Sequence, residues 1–187
     1  MRKIAAVLLA MGVAFTLTAC APASTDSASP SQSASLPSID PALIPTAAPA
    51  SVIDVAPDAF KMATGDYVFK VGSGPTWCTI SPQFKLSICE QSEVATQYAP
   101  IPVPASCNYS YGYQVELKAT TPTDGTKAAF FPCLGGAFTD PTGAQVLQDA
   151  QRISVDGFSC FVQVDTARCE NADKSFIVLG PKAWALG

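Results

Sequence analysis

Two stretches of similar design decide the fold: residues 77–90, WCTISPQFKLSICE, and residues 159–170, SCFVQVDTARCE. In each stretch, two cysteines flank a turn and an acid follows the second cysteine. Cys78 and Cys89 have ten residues between them, and Cys160 and Cys169 have eight. Such even spacings place each pair opposite one another across a β-hairpin, within reach of a disulfide. The pattern predicts two similar disulfide-bonded hairpins, which we expect at opposite ends of a sheet.

The remaining cysteines complete the expected disulfide framework. The chain has seven cysteines, an odd number for an exported protein. Six of them lie in the C-terminal part and allow fifteen pairings. With two local hairpin pairs, Cys107 and Cys133 are left for each other. No Cys-x-x-Cys occurs, which argues against thioredoxin-like redox chemistry and paired zinc knuckles. We therefore predict structural disulfides and no metal.

Residues 57–187 carry the pattern of a small, mainly β domain. Short runs of β-branched and aromatic residues alternate with Pro, Gly and Asp turns, which is typical of an antiparallel β-sandwich or barrel. One short helix is predicted around Ala144–Gln151, because Val146, Leu147 and Ala150 share a helical face. The predicted strands are Asp66–Val71, Trp77–Ser81, Phe84–Glu90, Asn108–Ala119, Lys127–Pro132, Arg152–Val155, Phe158–Val164, Ala167–Glu170 and Ser175–Leu179.

The N-terminus reads as a lipoprotein export signal over residues 1–19. Arg2 and Lys3 precede an apolar stretch too short to span a bilayer, and Leu17-Thr18-Ala19-Cys20 resembles a bacterial lipobox. Lipidation of Cys20 also explains the odd cysteine count. Cleavage by an ordinary signal peptidase nearby is the alternative. We expect acyl chains on Cys20 to anchor the protein to the extracytoplasmic face of the cell membrane.

Residues 20–56 are predicted to form a disordered tether behind the lipidated cysteine. Between Ala21 and Val52, 24 of 32 residues are Ala, Ser, Pro or Thr. Such a composition buries too little apolar surface to offset the entropy of ordering. The slightly more apolar residues near Leu43-Ile44 and Val52-Ile53 are candidates for docking on the domain edge.

The aromatic residues are candidates for a binding surface. Between Cys107 and Lys118 the odd positions, including Tyr109, Tyr111 and Tyr113, alternate strictly with polar residues, so the tyrosines share one face of the predicted strand. This face is either a platform for a sugar or peptide or simply the core face. Trp77 and Trp184 are the other candidates, with core packing as the alternative for each.

Composition excludes several classes of function. The chain has no histidine, which excludes Ser-His-Asp and Cys-His catalytic sites and His-ligated metals. The formal charge is −4, so the chain has no electrostatic footprint for nucleic acid. A carboxylate pair is the remaining catalytic option, as in a glycan hydrolase. Its candidates are scattered: Glu90, Glu93, Glu116, Asp149, Asp156, Glu170 and Asp173.

Two groups of residues resemble a known family. Phe69, Ser73-Gly74, Cys78 and Ile80 resemble the opening F-x-S-P-S-G-N-I-x-C-x-I pattern of uncharacterised secreted proteins and lipoproteins from actinobacteria. The stretch from Leu147 to Leu179 is similar to the closing pattern of that family. Pro75 and Thr76 depart from its Asn-Ile, and residues 93–141 do not align. The resemblance implies a small disulfide-bonded exported domain and no particular activity.

These observations predict a membrane-anchored envelope lipoprotein that acts as a non-catalytic binding or interaction module without a cofactor. Its partner is an envelope protein, a glycan or a lipid. The alternatives are an accessory or inhibitory subunit of an envelope complex and, as a weaker one, a histidine-free glycan hydrolase.

Overall fold

The computed structural model describes residues 35–187, which form two six-stranded β-sheets packed face to face. The predicted signal peptide, Cys20 and the tether up to residue 34 lie outside the described residues. Strands alternate with turns and three short 3-10 helices, Pro41–Leu43, Pro57–Phe60 and Glu93–Ala95. The strands are β1 (Ile53–Asp54), β2 (Tyr67–Val71), β3 (Trp77–Ser81), β4 (Leu86–Glu90), β5 (Gln114–Lys118), β6 (Ala129–Phe130), β7 (Gln145–Leu147), β8 (Gln151–Val155), β9 (Phe158–Gln163), β10 (Thr166–Glu170), β11 (Phe176–Gly180) and β12 (Ala183–Leu186).

The two sheets have related topologies. The N-terminal sheet has the strand order β6-β5-β4-β3-β2-β7, and the C-terminal sheet has the order β1-β8-β9-β10-β11-β12. Each is an antiparallel meander that carries one parallel strand at its edge. The two sheets exchange these parallel edge strands. β1 precedes the first meander in the chain but pairs with β8 of the second, whereas β7 precedes the second meander but pairs with β2 of the first. The mainly β fold is confirmed, but both sheets are mixed and not purely antiparallel.

The three predicted disulfides are present. Cys78–Cys89 links β3 to β4 and Cys160–Cys169 links β9 to β10, each between residues directly opposite in the register. Cys107–Cys133 closes a longer loop. The two hairpins do not occupy opposite ends of one sheet. They belong to different sheets and meet in the core, where their cysteine side chains are in contact and completely buried.

The predicted helix at Ala144–Gln151 is wrong. Residues 145–147 form β7, which pairs in parallel with β2 and buries Leu147 opposite Val71. Ala150 has a φ of 59°, in the left-handed region that a helix does not contain. The hydrogen bonds to β2 and the burial of Leu147 stabilise a strand here more than three apolar residues on one face stabilise a short helix.

The long predicted strand Asn108–Ala119 is shortened to β5, Gln114–Lys118. Gly112 interrupts it with a φ of 89°, and a Cβ there would lie 2.6 Å from the Ile101 side chain. The disulfide at Cys107 draws the preceding residues toward Cys133 instead. The strict alternation therefore holds only within β5, where Val115 and Leu117 are buried.

The folded domain begins before residue 57. Ile53–Asp54 forms β1 on the C-terminal sheet, so docking near Val52-Ile53 is confirmed. Upstream, Pro45 is buried and its carbonyl accepts a hydrogen bond from Nη1 of Arg168 over 3.0 Å. Residues 35–56 are mostly exposed, but Ile39, Pro45 and Val55 among them contact the domain, in contrast to the disordered tether predicted up to residue 56. The proline-rich composition does not predict this packing, because Arg168, which bonds Pro45, lies on β10, 123 residues further along the chain.

Candidate functional site

The predicted aromatic surface divides into two groups in the structure. Trp184, on β12, packs edge-on against Phe131 with 5.0 Å between ring centroids and is only 8% exposed, so it is a core residue. Tyr111 also packs on Phe131, and Tyr109 is exposed beside Gly135. These three residues do not form one surface with Trp77 and Tyr113.

Trp77 and Tyr113 line the same pocket, here called the aromatic pocket. It has a volume of about 260 Å³ and is open to solvent. The register of the N-terminal sheet brings them together: Trp77 begins β3 opposite Glu90, and Gln114 begins β5 on the other side of Glu90. Other lining residues are Glu93, Ser110, Leu134 and Ala137. The sequence pattern identifies the two rings, and it offers Glu90 and Glu93 only as scattered candidate acids without linking them to the rings.

Glu90 forms the buried floor of the aromatic pocket. Its Oε1 accepts hydrogen bonds from the backbone N–H of Phe138 over 2.7 Å and from Nε2 of Gln114 over 2.8 Å. Its Oε2 accepts from Nε1 of Trp77 over 3.1 Å and from the N–H of Thr139 over 3.3 Å. Burial raises the pKa of Glu90 above its ordinary value of 4.5, an effect larger than the opposing effect of the hydrogen bonds.

This arrangement makes Glu90 an anchor for the loop that forms one wall of the pocket. The four donors occupy both carboxylate oxygens. A carboxylate held in this way is poorly placed to transfer a proton or attack a substrate. The sequence offers Glu90 as the acid after the second cysteine of the first hairpin and as one of seven scattered carboxylates. It does not indicate the role of an anchor, because the partners Phe138 and Thr139 follow Glu90 by 48 and 49 residues.

The polar rim of the pocket is acidic. Burial raises the pKa of the Tyr113 hydroxyl, and the neighbouring Glu93 carboxylate raises it further. Among the described residues that line the pocket, two are acids and none is Lys or Arg. Gln114 uses its amide nitrogen for Glu90 and the carbonyl of Gly136. On the rim, the Glu93 carboxylate is an acceptor and the hydroxyls of Ser92, Ser110 and Tyr113 can accept as well as donate, which suits a ligand with hydroxyl or ammonium donors.

A second, larger depression lies elsewhere on the domain. This hairpin groove has a volume of about 720 Å³ and runs between residues 41–46 and the turns of three hairpins. The turns contribute Gly74-Pro75, residues 163–166 and Pro181-Lys182. Asp165 fastens two of these turns together, because its Oδ1 accepts a hydrogen bond from the N–H of Ser73 over 2.9 Å.

The candidate acids for a hydrolase are largely engaged elsewhere. Glu170 pairs with Arg168, Asp173 accepts from the N–H of Thr121, and Asp149 accepts from the N–H of Val164. Of the seven candidates, Glu90 and Glu93 share the aromatic pocket.

In comparisons with family models, curated proteins and solved structures, the chain matches none. The resemblance to the actinobacterial lipoproteins therefore stays a prediction. Within residues 35–187, the structure contains no helix with the length and apolar character needed to cross a membrane.

Proposed function

We propose that the protein is a non-catalytic glycan-binding module of the cell envelope, held at the membrane by lipid on Cys20. The observation that carries the proposal is the aromatic pocket, in which Trp77 and Tyr113 share the lining with the Glu93 carboxylate and the hydroxyls of Ser92 and Ser110. Aromatic rings beside acidic and amide side chains match the two chemistries of a sugar ring, its apolar C–H face and its hydroxyl edge.

The orientation of Trp77 favours ring stacking. Its indole N–H donates inward, to Glu90 and to the carbonyl of Thr139 over 3.1 Å. The polar edge of the indole is therefore already satisfied, and the part of the ring that lines the pocket is apolar. A volume of about 260 Å³ suits a single sugar ring better than a drug-sized ligand, since such pockets usually span about 300–1,000 Å³.

Binding without catalysis is supported by the state of the two pocket acids. Glu90 accepts four hydrogen bonds and serves as an anchor. A glycoside hydrolase needs two carboxyl groups free to act on opposite sides of the scissile bond. In this pocket only Glu93 is available for such a role.

The lipid anchor is supported by the cysteine count. The three disulfides use six of the seven cysteines, so Cys20 is the odd one. Its position after Leu17-Thr18-Ala19 matches the acylation site of a lipoprotein signal. A lipid anchor places the domain on the extracytoplasmic face, where disulfides form and envelope glycans are present.

The experiment is isothermal titration calorimetry of the exported full chain with soluble neutral and amino-hexose oligosaccharides of the envelope. Tyr113→Ala should weaken binding about five-fold or more, since one aromatic stacking contact contributes on the order of 1 kcal/mol. Tyr109→Ala is the matched control, because Tyr109 is exposed outside the pocket and should leave the affinity unchanged. Absence of binding by the wild-type protein, or equal loss in both variants, rejects the proposal.

A second candidate function is that of an accessory or inhibitory subunit of an envelope complex. The hairpin groove favours it, since a rigid rim of three hairpin turns is a suitable surface for a protein segment. Lys182→Glu in the groove would then weaken capture of a partner complex, whereas Tyr113→Ala would not. The opposite result favours the glycan.

A further inference from the structure

The two hairpin disulfides meet at the centre of the domain. All four of their cysteines are completely buried. Cys89 of the N-terminal sheet and Cys169 of the C-terminal sheet bring their Sγ atoms to 3.9 Å from one another. The Sγ atoms of Cys78, Cys89 and Cys169 all lie within 4.8 Å of each other. Two disulfides that belong to different sheets are thus in direct contact.

From this contact we infer that Cys78, Cys89, Cys160 and Cys169 form a single site for intramolecular thiol–disulfide exchange. A thiolate on Cys89 would attack Sγ of Cys169 and form a Cys89–Cys169 bond. The Cys160–Cys169 bond breaks at the same time, and its electron pair leaves on Cys160, which takes up the proton that Cys89 lost. The step involves no net oxidation or reduction.

The distance to be closed is small. A disulfide bond is about 2.05 Å long, so the two sulfurs need to approach by about 2 Å. Cys89 lies on β4 and Cys169 on β10, and rotation of both cysteine side chains would share the movement between them. In the oxidised protein an external dithiol would produce the thiolate by opening Cys78–Cys89, and that dithiol would become the disulfide. Because both cysteines are completely buried, this step requires local opening of the domain.

Exchange changes what the disulfide connects. Each original disulfide lies within its own sheet and joins residues that are 11 positions (Cys78–Cys89) or 9 positions (Cys160–Cys169) apart. Cys89 and Cys169 are 80 positions apart and belong to different sheets. A longer closed loop restricts the unfolded chain more. One reduction event therefore leaves the sandwich cross-linked between its layers, with thiols on Cys78 and Cys160.

The test is a set of single cysteine variants that create the attacking thiol without a reductant. Each full-length protein is exported, quenched with acid, unfolded in the presence of N-ethylmaleimide and mapped by mass spectrometry. Cys78→Ser leaves Cys89 as the attacking thiol, and we expect the label on Cys160 with Cys89 and Cys169 recovered as one linked peptide. Cys160→Ser should give the same linked peptide from the other direction, with the label on Cys78.

Cys107→Ser is the matched control, because its partner Cys133 lies outside the core cluster and should be the one labelled cysteine among residues 35–187. Label on Cys89 alone among these residues in a folded Cys78→Ser variant overturns the inference, and so does label on any of the four core cysteines of the control. If neither core variant folds, the wild-type protein is treated with one equivalent of dithiothreitol. Joint labelling of Cys78 and Cys160 then supports exchange, whereas labelling of both members of one original disulfide overturns it.

Discussion

Trp77 and Glu90 face one another across β3 and β4, and the indole Nε1 donates a hydrogen bond to Oε2 of Glu90 over 3.1 Å. The pair lies one position from the Cys78–Cys89 disulfide in both strands. Because neighbouring residues of a strand point to opposite sides of the sheet, the disulfide enters the core while Trp77 and Glu90 face outward. One hairpin thus supplies both a core cross-link and the floor of the aromatic pocket.

Glu90→Ala should be strongly destabilising. The change leaves the half-buried N–H groups of Phe138 and Thr139 without their acceptor and creates a cavity at the completely buried Glu90 position, while Gln114 keeps its hydrogen bond to the carbonyl of Gly136. We expect the free energy of unfolding to fall by about 3 kcal/mol or more, measured by chemical denaturation. Glu93→Ala on the rim of the same pocket is the control and should cost about 0.5 kcal/mol at most. Equal losses would show that Glu90 is no anchor.

The stability of the domain should depend on the ionisation of Glu90. Burial raises its folded-state pKa above the usual 4.5, so the folded protein binds the proton more tightly than the unfolded chain. The free energy of unfolding therefore falls as the pH rises from about 4.5 through the folded-state pKa. The glutamine of Glu90→Gln cannot titrate, so the free energy of unfolding of this variant should change less with pH in this range. Burial also raises the pKa of Glu116, but Glu116 titrates in both proteins and does not contribute to the difference. Identical profiles would contradict the prediction.

The Cys107–Cys133 disulfide should stabilise the domain through the unfolded chain. The two cysteines are 26 positions apart, and the chain-entropy relation gives about 3.5 kcal/mol for a loop of this length. The double variant Cys107→Ser/Cys133→Ser should lose that amount in denaturant unfolding without collapse of the core, because Cys133 is exposed. A loss below about 1 kcal/mol would mean that the unfolded chain is already constrained in this region.

Arg168 should hold residues 35–46 on the domain. Its guanidinium donates to the carbonyl of Pro45 and to Glu170 over 2.8 Å, and lies 3.6 Å from the ring centroid of Phe176. Lysine cannot reproduce this planar set of contacts, so Arg168→Lys should accelerate limited proteolysis before residue 46 several-fold. Arg152→Lys is the control, because Arg152 bonds Asp54 at an exposed position and should leave that cleavage unchanged. The same rate in both variants would reject the role of Arg168.

Membrane attachment should depend on Cys20. Replacement by serine removes the thiol of the proposed acylation site, so Cys20→Ser should move the protein from the membrane fraction to the soluble exported fraction or stop its processing. Detergent phase partitioning measures the change, and Cys107→Ser is a control that removes a cysteine without affecting the anchor. Unchanged partitioning of Cys20→Ser would exclude the lipid.

The two hairpins could be predicted from sequence because the residues that define each one lie close together in the chain. Cysteine spacing, turn residues and β-branched runs all lie within about fifteen residues, and they placed Trp77–Ser81 and both hairpin disulfides correctly. The exchanged strands could not be predicted in this way. β1 and β7 pair in parallel with distant partners, and a strand of two or three residues has too little periodicity to be distinguished from a turn or helix.

The site was only half predictable for the same reason. Aromatic residues were identified from the pattern, but Trp184 belongs to the core and Gly112 removes Tyr109 and Tyr111 from the expected strand. The link from Glu90 to Phe138 and Thr139 depends on a loop that has no regular pattern. Trp77 and Tyr113 meet only because β3, β4 and β5 are adjacent in the sheet.

The exchange of β1 and β7 determines whether the two halves of the chain can fold as separate fragments. Each half of the protein completes the sheet edge of the other half, so a fragment that ends before β7 leaves β2 without its parallel neighbour, and the remaining fragment lacks β1. Neither fragment can bury its own inner face. The two should therefore be unfolded alone and should reassemble when mixed, as one cooperative unit whose halves are mutually obligatory.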